Sequence, residues 1–295
     1  MLYLKKRIDN EFKELNLSFG RNLEYLLNLD KYLSLRKLTI THCEITRLDN
    51  LPHLLQELVC NNNKITHLDK LPQSLQKLYC NYNNITQLDN LPQFLQILSC
   101  YSNNITQLDN LPQSLQILDC SNNEITTLNN LPQSLQILKC NKITRLDYLP
   151  QSLQILECNS SKIKELDNLP LSLQELRCSC NEIMRLDNLP RSLQILDCGN
   201  NQLTQLNNLP RSLQKLYCGY NNITELDNLP QLLQILYCYS NNITQLDNLP
   251  KLLQILDCRY NKLTKLDNLP KFVRELQYGG NNITKIDKLP KSLHP

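Results

Sequence analysis

The chain contains no tryptophan and no alanine, and only five glycines in 295 residues. No phosphate-cradling glycine loop can be assembled from Gly20, Gly199, Gly219, Gly279 and Gly280. Four histidines, His42, His53, His67 and His294, are scattered with no recurring acid or nucleophile beside them, which argues against catalysis. No apolar run approaches the roughly 18 residues of a membrane span, and Met1 to Arg7 opens no signal-peptide core. A net charge of +3 excludes a large cationic excess of the kind polyanions select. The expectation is a soluble, intracellular, cytoplasmic protein with no cofactor, no metal and no enzymatic activity, bound to neither nucleic acid nor membrane.

What is present is one phrase, repeated: L-P-x-S-L-Q-x-L-x-C-x-x-N-x-I-T-x-L-D-N. Leu-Pro recurs every 20 residues from Leu51/Pro52 to Leu131/Pro132. It slips by two at Leu149/Pro150, then keeps step to Leu289/Pro290. A period of 20 is the signature of a solenoid, so the length reads as one elongated array rather than two ordinary domains. Counting from the leucine that opens each strand, such as Leu55, slots 1, 4, 6, 11, 14 and 17 are apolar and slot 9 is usually Asn. Slots 4 and 6 with variable neighbours carry the period-2 alternation of a strand. Proline at slot 18 pushes the preceding leucine toward extended geometry, and 20 residues leave no room for a useful α-helix. The return path is expected to be extended or polyproline-like.

Leu55 to Ile65 reads L-x-x-L-x-C-x-x-N-x-I, which resembles the core of the leucine-rich repeat. The tail Leu68-Asp69-Lys70-Leu71-Pro72 is similar to the short repeats of bacterial effector proteins, and the wording also resembles leucine-rich proteins of amoeba-infecting giant viruses. The resemblance covers residues 35 to 293. It implies a repeat solenoid: a leucine-rich-repeat horseshoe with a parallel sheet on its concave face and little helix. About 13 repeats are expected over 35–295, behind an N-terminal cap over 1–34. Leu4, Ile8, Phe12 and Leu15 have helical spacing there, while Glu11 to Phe19 reads equally as a degenerate first strand. The final strand near Val273 is expected to form an open edge, guarded by Lys285, Lys288 and Lys291.

Each repeated column has a bland and a functional reading. Eleven of the thirteen cysteines share slot 6, from Cys60 to Cys258, and read as a reduced core column; Cys180, in slot 8, reads as an exposed thiol. The Asp column from Asp49 to Asp287 admits Asn129 and Asn207, so it reads as a turn acceptor rather than a calcium row. The Asn-Ile-Thr triplets follow from slots 10 to 12 and are not read as glycan sites. After Cys140 two residues are missing, and Ser161 replaces the next slot-9 Asn, so the asparagine ladder should break there.

Slots 3, 5, 7 and 8 vary and should form the concave face. Slot 3 carries Ile117, Ile137, Ile235 and Ile255, expected to be exposed. Eight tyrosines fill the other three slots: Tyr79, Tyr82, Tyr101, Tyr217, Tyr220, Tyr237, Tyr239 and Tyr260. Exposed apolar area with a hydroxyl handle suits a protein partner, although strands favour such residues anyway. The same slots mix Lys77, Lys139, Arg177 and Arg259 with Glu57, Asp119, Glu157, Asp197 and Asp257. That alternation is not a phosphate-binding stripe. The expected function is a protein-interaction scaffold. The alternatives are a recognition subunit in a ubiquitin-ligase or effector assembly, and a purely structural array.

Overall fold

A computed structural model describes residues 13–18, 29–286 and 289–293. The chain divides into two compact units, Met1–Cys140 and Asn141–Pro295, and the division falls at the shortened repeat. In the N-terminal unit seven strands pair in parallel and in sequence order. They are β1 (Glu14–Asn16), β2 (Lys37–Thr39), β3 (Glu57–Val59), β4 (Lys77–Tyr79), β5 (Ile97–Ser99), β6 (Ile117–Asp119) and β7 (Ile137–Lys139). In the C-terminal unit β8 (Ile155–Glu157), β9 (Glu175–Arg177), β10 (Ile195–Asp197), β11 (Lys215–Tyr217), β12 (Ile235–Tyr237) and β13 (Ile255–Asp257) do the same. There β15 (Glu275–Gln277) follows β13, while β14 (Lys265–Leu266) and β16 (Lys285–Ile286) pair on their own. No α-helix occurs among the described residues, only 3-10 turns at Leu29–Lys31 and Lys291–Leu293.

The register is one repeat per rung: Leu216 pairs with Leu236, and Tyr217 with Tyr237. From β2 to β12 each strand is only slots 3 to 5, with the central leucine inside and its neighbours half-buried, as in β11 and β12. Leu-Pro opens a turn closed by the next leucine, as Leu55 N–H donating to Pro52 O at 3.2 Å. Leucine, isoleucine and cysteine fill the interior: Leu55, Leu58, Cys60 and Ile65 are fully buried. One repeat's six apolar side chains are worth roughly 10 kcal/mol. That is less than the roughly 20–40 kcal/mol of backbone entropy for 20 residues, so rungs are stable only when stacked.

The slot-9 asparagine carries much of the stacking. Asn201 Nδ2 donates to Cys178 O of the preceding rung at 3.0 Å and to Cys198 O of its own at 3.1 Å. Its Oδ1 accepts from Ile183 N–H at 3.0 Å. Cys43 takes this place in the first full repeat, its thiol donating to Leu17 O at 3.0 Å.

In the C-terminal unit the expected break in the ladder is present. Ser161 is buried, and its Oγ has no hydrogen-bond partner. A buried polar atom without a partner costs about 1–3 kcal/mol. Ser161→Asn is therefore expected to raise the stability of this unit by about 1 kcal/mol, read as a higher urea midpoint. A lower midpoint would show that the shortened repeat has no room for the amide.

At the N-terminus the described part of the cap contains β1, paired to β2 with Leu15 opposite Leu38, so Leu15 lies on a strand and not on a helix. Leu4, Ile8 and Phe12 lie outside the described residues. At the other end Val273 is buried, whereas Leu276 of β15 is only half-buried.

Two backbone positions per repeat are left-handed. Slot 16, before Leu-Pro, has φ between 53° and 62° at ten asparagines from Asn50 to Asn268. Asparagine tolerates that region better than most side chains, which is why D-N-L-P recurs. Slot 8 is left-handed as well, and there it holds Tyr82, Tyr220 and Tyr260 with φ of 53° to 54°.

Candidate binding face

The slot-3 isoleucines are not exposed as expected. Ile117, Ile137, Ile235 and Ile255 are half-buried: Ile117 stands beside Ile137 and Ile235 beside Ile255, on rungs about 4.8 Å apart. The tyrosines divide by slot. Tyr79, Tyr101, Tyr217, Tyr237 and Tyr239 are half-buried, whereas Tyr82, Tyr220 and Tyr260 at the left-handed slot stand out, 52% to 63% exposed.

In the N-terminal unit Tyr82 meets Tyr101 edge to face, with ring centroids 5.2 Å apart, and Tyr101 Oη accepts from Asn122 Nδ2 at 2.7 Å. Nearby, Lys37 pairs with Glu57 at 3.1 Å. In the C-terminal unit two such aromatic pairs occur: Tyr217 with Tyr237 and Tyr220 with Tyr239, both at 5.2 Å.

Glycine makes the second pair possible. A Cβ on Gly219 would lie 2.7 Å from Tyr239 Cζ, so the ring occupies the space of the missing side chain. Gly280, at φ +71°, likewise makes way for Tyr260. Arg259 forks onto Asp257 at 2.7 and 2.9 Å, and its guanidinium lies 6.0 Å from the Tyr239 ring centroid. Arg177 bonds Glu175 and lies 3.9 Å from Glu157. Glu57, Glu157, Arg177, Asp257 and Arg259, among the charges that alternate in sequence, are thus paired across or along the rungs. Burial raises the Asp197 carboxyl above its ordinary value, against the opposing pull of the Gly199 N–H and Arg177. Burial also raises the phenols of Tyr79, Tyr217 and Tyr239.

The roles of glycine and of the left-handed slot were not read from the sequence. The slot-7 glycines, Gly199 and Gly219, gave a faint signal by falling in successive repeats, the second of them inside the tyrosine group.

The remaining columns are structural. All thirteen cysteines are free thiols, and only Cys180 is exposed, with its Sγ 3.2 Å from Asn200 Nδ2. The Asp column acquires a partner other than a turn amide at several positions: Arg47–Asp49, Arg145–Asp147, Arg185–Asp187 and Lys265–Asp267 are ion pairs. Among the described residues no cluster of three ligating side chains could hold a metal ion, and no helix is long and apolar enough to cross a membrane.

The comparisons with known proteins agree with the rung geometry. A profile of two leucine-rich repeats matches residues 211–251. The solved structure of YopM, a leucine-rich effector protein from Yersinia pestis, is 30% identical, with a TM-score of 0.74. The match covers 86% of this chain and 80% of that one. This chain belongs to the leucine-rich-repeat family. A domain of InlJ from Listeria monocytogenes, which includes a cysteine ladder, is 31% identical over 79% of this chain and 60% of that one, with a TM-score of 0.66. YopM from Yersinia enterocolitica is 28% identical over 90% of this chain and 73% of that one, with a TM-score of 0.68. No curated protein sequence matches the chain significantly.

The leucine-rich-repeat interior holds its own cysteine column. Burial pushes the Cys80 and Cys140 thiols from 9.0 up to about 12, and raises Cys178 well above its ordinary value too. These groups bind their protons more tightly folded than unfolded. The stability this confers is complete below about pH 9 and is lost as pH rises from there toward about 12. Urea midpoints are expected to fall between about pH 8 and about pH 10.5; an unchanged midpoint would mean that the column does not stay protonated on folding.

Proposed function

We propose that this leucine-rich-repeat chain is a non-enzymatic scaffold that binds a protein partner along its strand face, the concave side of the repeat. The observation that carries the reading is the aromatic group on β11, β12 and the residues just after them. Tyr217, Tyr237, Tyr220 and Tyr239 are held edge to face by each other and by the gap at Gly219. Side chains ordered before binding lose little further freedom on contact, and tyrosine is enriched where interfaces concentrate their energy. Tyr79, Tyr82, Tyr101 and Ile117, Ile137 would extend the contact in the N-terminal unit, and Ile235, Ile255 and Tyr260 in the C-terminal one. Residues 1–34 would serve as the cap, with β1 as the first rung.

A second reading, an effector or a recognition subunit that supplies specificity to a ligase made by another chain, is favoured by the similarity to the Yersinia pestis effector. It would place the protein in a host cytoplasm. Purification of tagged protein with its partners, followed by mass spectrometry, separates the readings. One specific partner lost on mutation of the tyrosines supports the scaffold. Ligase components support the second reading, and no specific partner at all would leave a structural array.

A further inference from the structure

One rim of the C-terminal unit departs from the repeat in a way that the strand face does not explain. Slot 20, just before each strand, is normally serine, and its hydroxyl ties one rung to the one before. Ser192 Oγ lies 2.7 Å from both Leu171 O and Leu173 O, and Ser212 Oγ lies 2.7 Å from Arg191 O and 2.6 Å from Leu193 O. Three successive rungs then give up this bond. Leu232, Leu252 and Phe272 take the slot and stand 49%, 42% and 48% exposed. The tie resumes at Ser292, whose Oγ bonds Val273 O. A stacking hydrogen bond has been exchanged three times for an apolar side chain in water. Because β11, β12, β13 and β15 stack in register, the three side chains form a row along the rim, one per rung.

Lysine stands beside two of the three: the preceding slot holds exposed Lys251 before Leu252 and exposed Lys271 before Phe272, with Lys271 Nζ 4.8 Å from the Phe272 ring centroid, and exposed Lys291 before Ser292 on the next rung, whereas Leu232 follows Gln231. Residues 251–293 contain nine basic and four acidic side chains, a net of +5 against +3 for the whole chain. This stretch of sequence therefore carries the basic surplus, and Lys251 and Lys271 are the part of it that lies beside the apolar row. The opposite end of the row is less cationic, since Asp227 lines the same surface hollow as Arg211 and Leu232.

We propose that this rim docks on an anionic phospholipid surface, with Leu232, Leu252 and Phe272 entering the interface and Lys251, Lys271 and Lys291 meeting the headgroups. Charge complementarity requires a negative partner. A row of single apolar tips, one on each of three successive rungs, offers an extended surface such as a lipid layer several shallow contacts and no pocket. Lysine can keep its ammonium at the headgroups while its stem lies along the apolar layer. The proposal is independent of the strand face, which the tyrosines occupy, and it needs no membrane-spanning segment.

The test is sedimentation of the full chain with vesicles of phosphatidylcholine alone, and with vesicles in which about a third of the lipid is phosphatidylserine. Binding is expected only to the second, weakening as salt is raised. Leu232→Ser, Leu252→Ser and Phe272→Ser together restore the repeat's own serine tie, so this variant should melt no lower than the parent while binding falls about tenfold or more. Lys251→Gln, Lys271→Gln and Lys291→Gln together should do the same through charge. No binding to the anionic vesicles, or equal binding by the folded triple-serine variant, would overturn the proposal. So would capture of soluble poly-glutamate with no vesicle binding, which would assign the rim to an acidic protein.

Discussion

Asn201→Ala is expected to destabilise the C-terminal unit by about 3–5 kcal/mol, as is alanine at the equivalently bonded Asn181 or Asn221. The amide satisfies Cys178 O, Cys198 O and Gly199 O, and it accepts from Ile183 N–H. Alanine removes all four bonds: Ile183 N–H is left inside without a partner, at about 1–3 kcal/mol, while Cys178 O, Cys198 O and Gly199 O each lose a bond worth about 0.5–1.5 kcal/mol and keep those from Asn181, Asn221 and Cys180 N–H. Water cannot replace the amide, because the position is only 8% exposed. Urea unfolding followed by circular dichroism measures the loss. A repeat array unfolds by neighbouring rungs, so the transition should broaden as well as shift. A change of under about 1 kcal/mol would mean that the rungs are held by leucine packing alone. Asn222, which is exposed and lies outside the ladder in the same unit, gives a control expected to change little.

Replacing Tyr217, Tyr237 and Tyr239 together by alanine is expected to weaken capture of the protein partner by about 100-fold or more, with the fold retained. Two or three residues at the centre of an interface often contribute about 2 kcal/mol or more each, which compounds to that range. All three are at least part exposed, so their loss opens no cavity among the buried leucines. Gly219→Val is the sharper probe of the same face. Its Cβ would displace the Tyr239 ring without removing any tyrosine. Full capture by the triple variant would exclude this face as the binding surface. Full capture by Gly219→Val alone would show that the ring's position is unimportant.

Much of the molecule was legible in the phrase itself. The 20-residue period, the apolar slots and the inward asparagine follow from what a stacked rung must bury and satisfy, and they predict parallel in-register strands without helix. The reduced interior cysteines follow from the same argument, since a residue repeated in a buried slot is a packing residue. Three things were misread or missed. The slot-3 isoleucines were expected to be exposed because they face away from the leucines; rungs about 4.8 Å apart cover much of one another's side chains on that face too. The ion pairs of the Asp column were missed: four of its members have a basic residue two positions earlier within reach. The left-handed backbone at slots 8 and 16 is invisible to hydrophobic patterning, although the asparagine before each Leu-Pro was its trace.

The sequence by itself determined the rung: its length, its interior and its ladder, because each is a local demand that every repeat repeats. Only the tertiary structure decided which variable residues cooperate. Tyr220 and Tyr239 are 19 positions apart, and Gly219 and Tyr239 are 20; nothing in either residue announces the other. Stacking places them one rung apart, where a missing side chain on one rung receives a ring from the next. The same stacking turns Leu232, Leu252 and Phe272, three isolated departures from serine, into a single row.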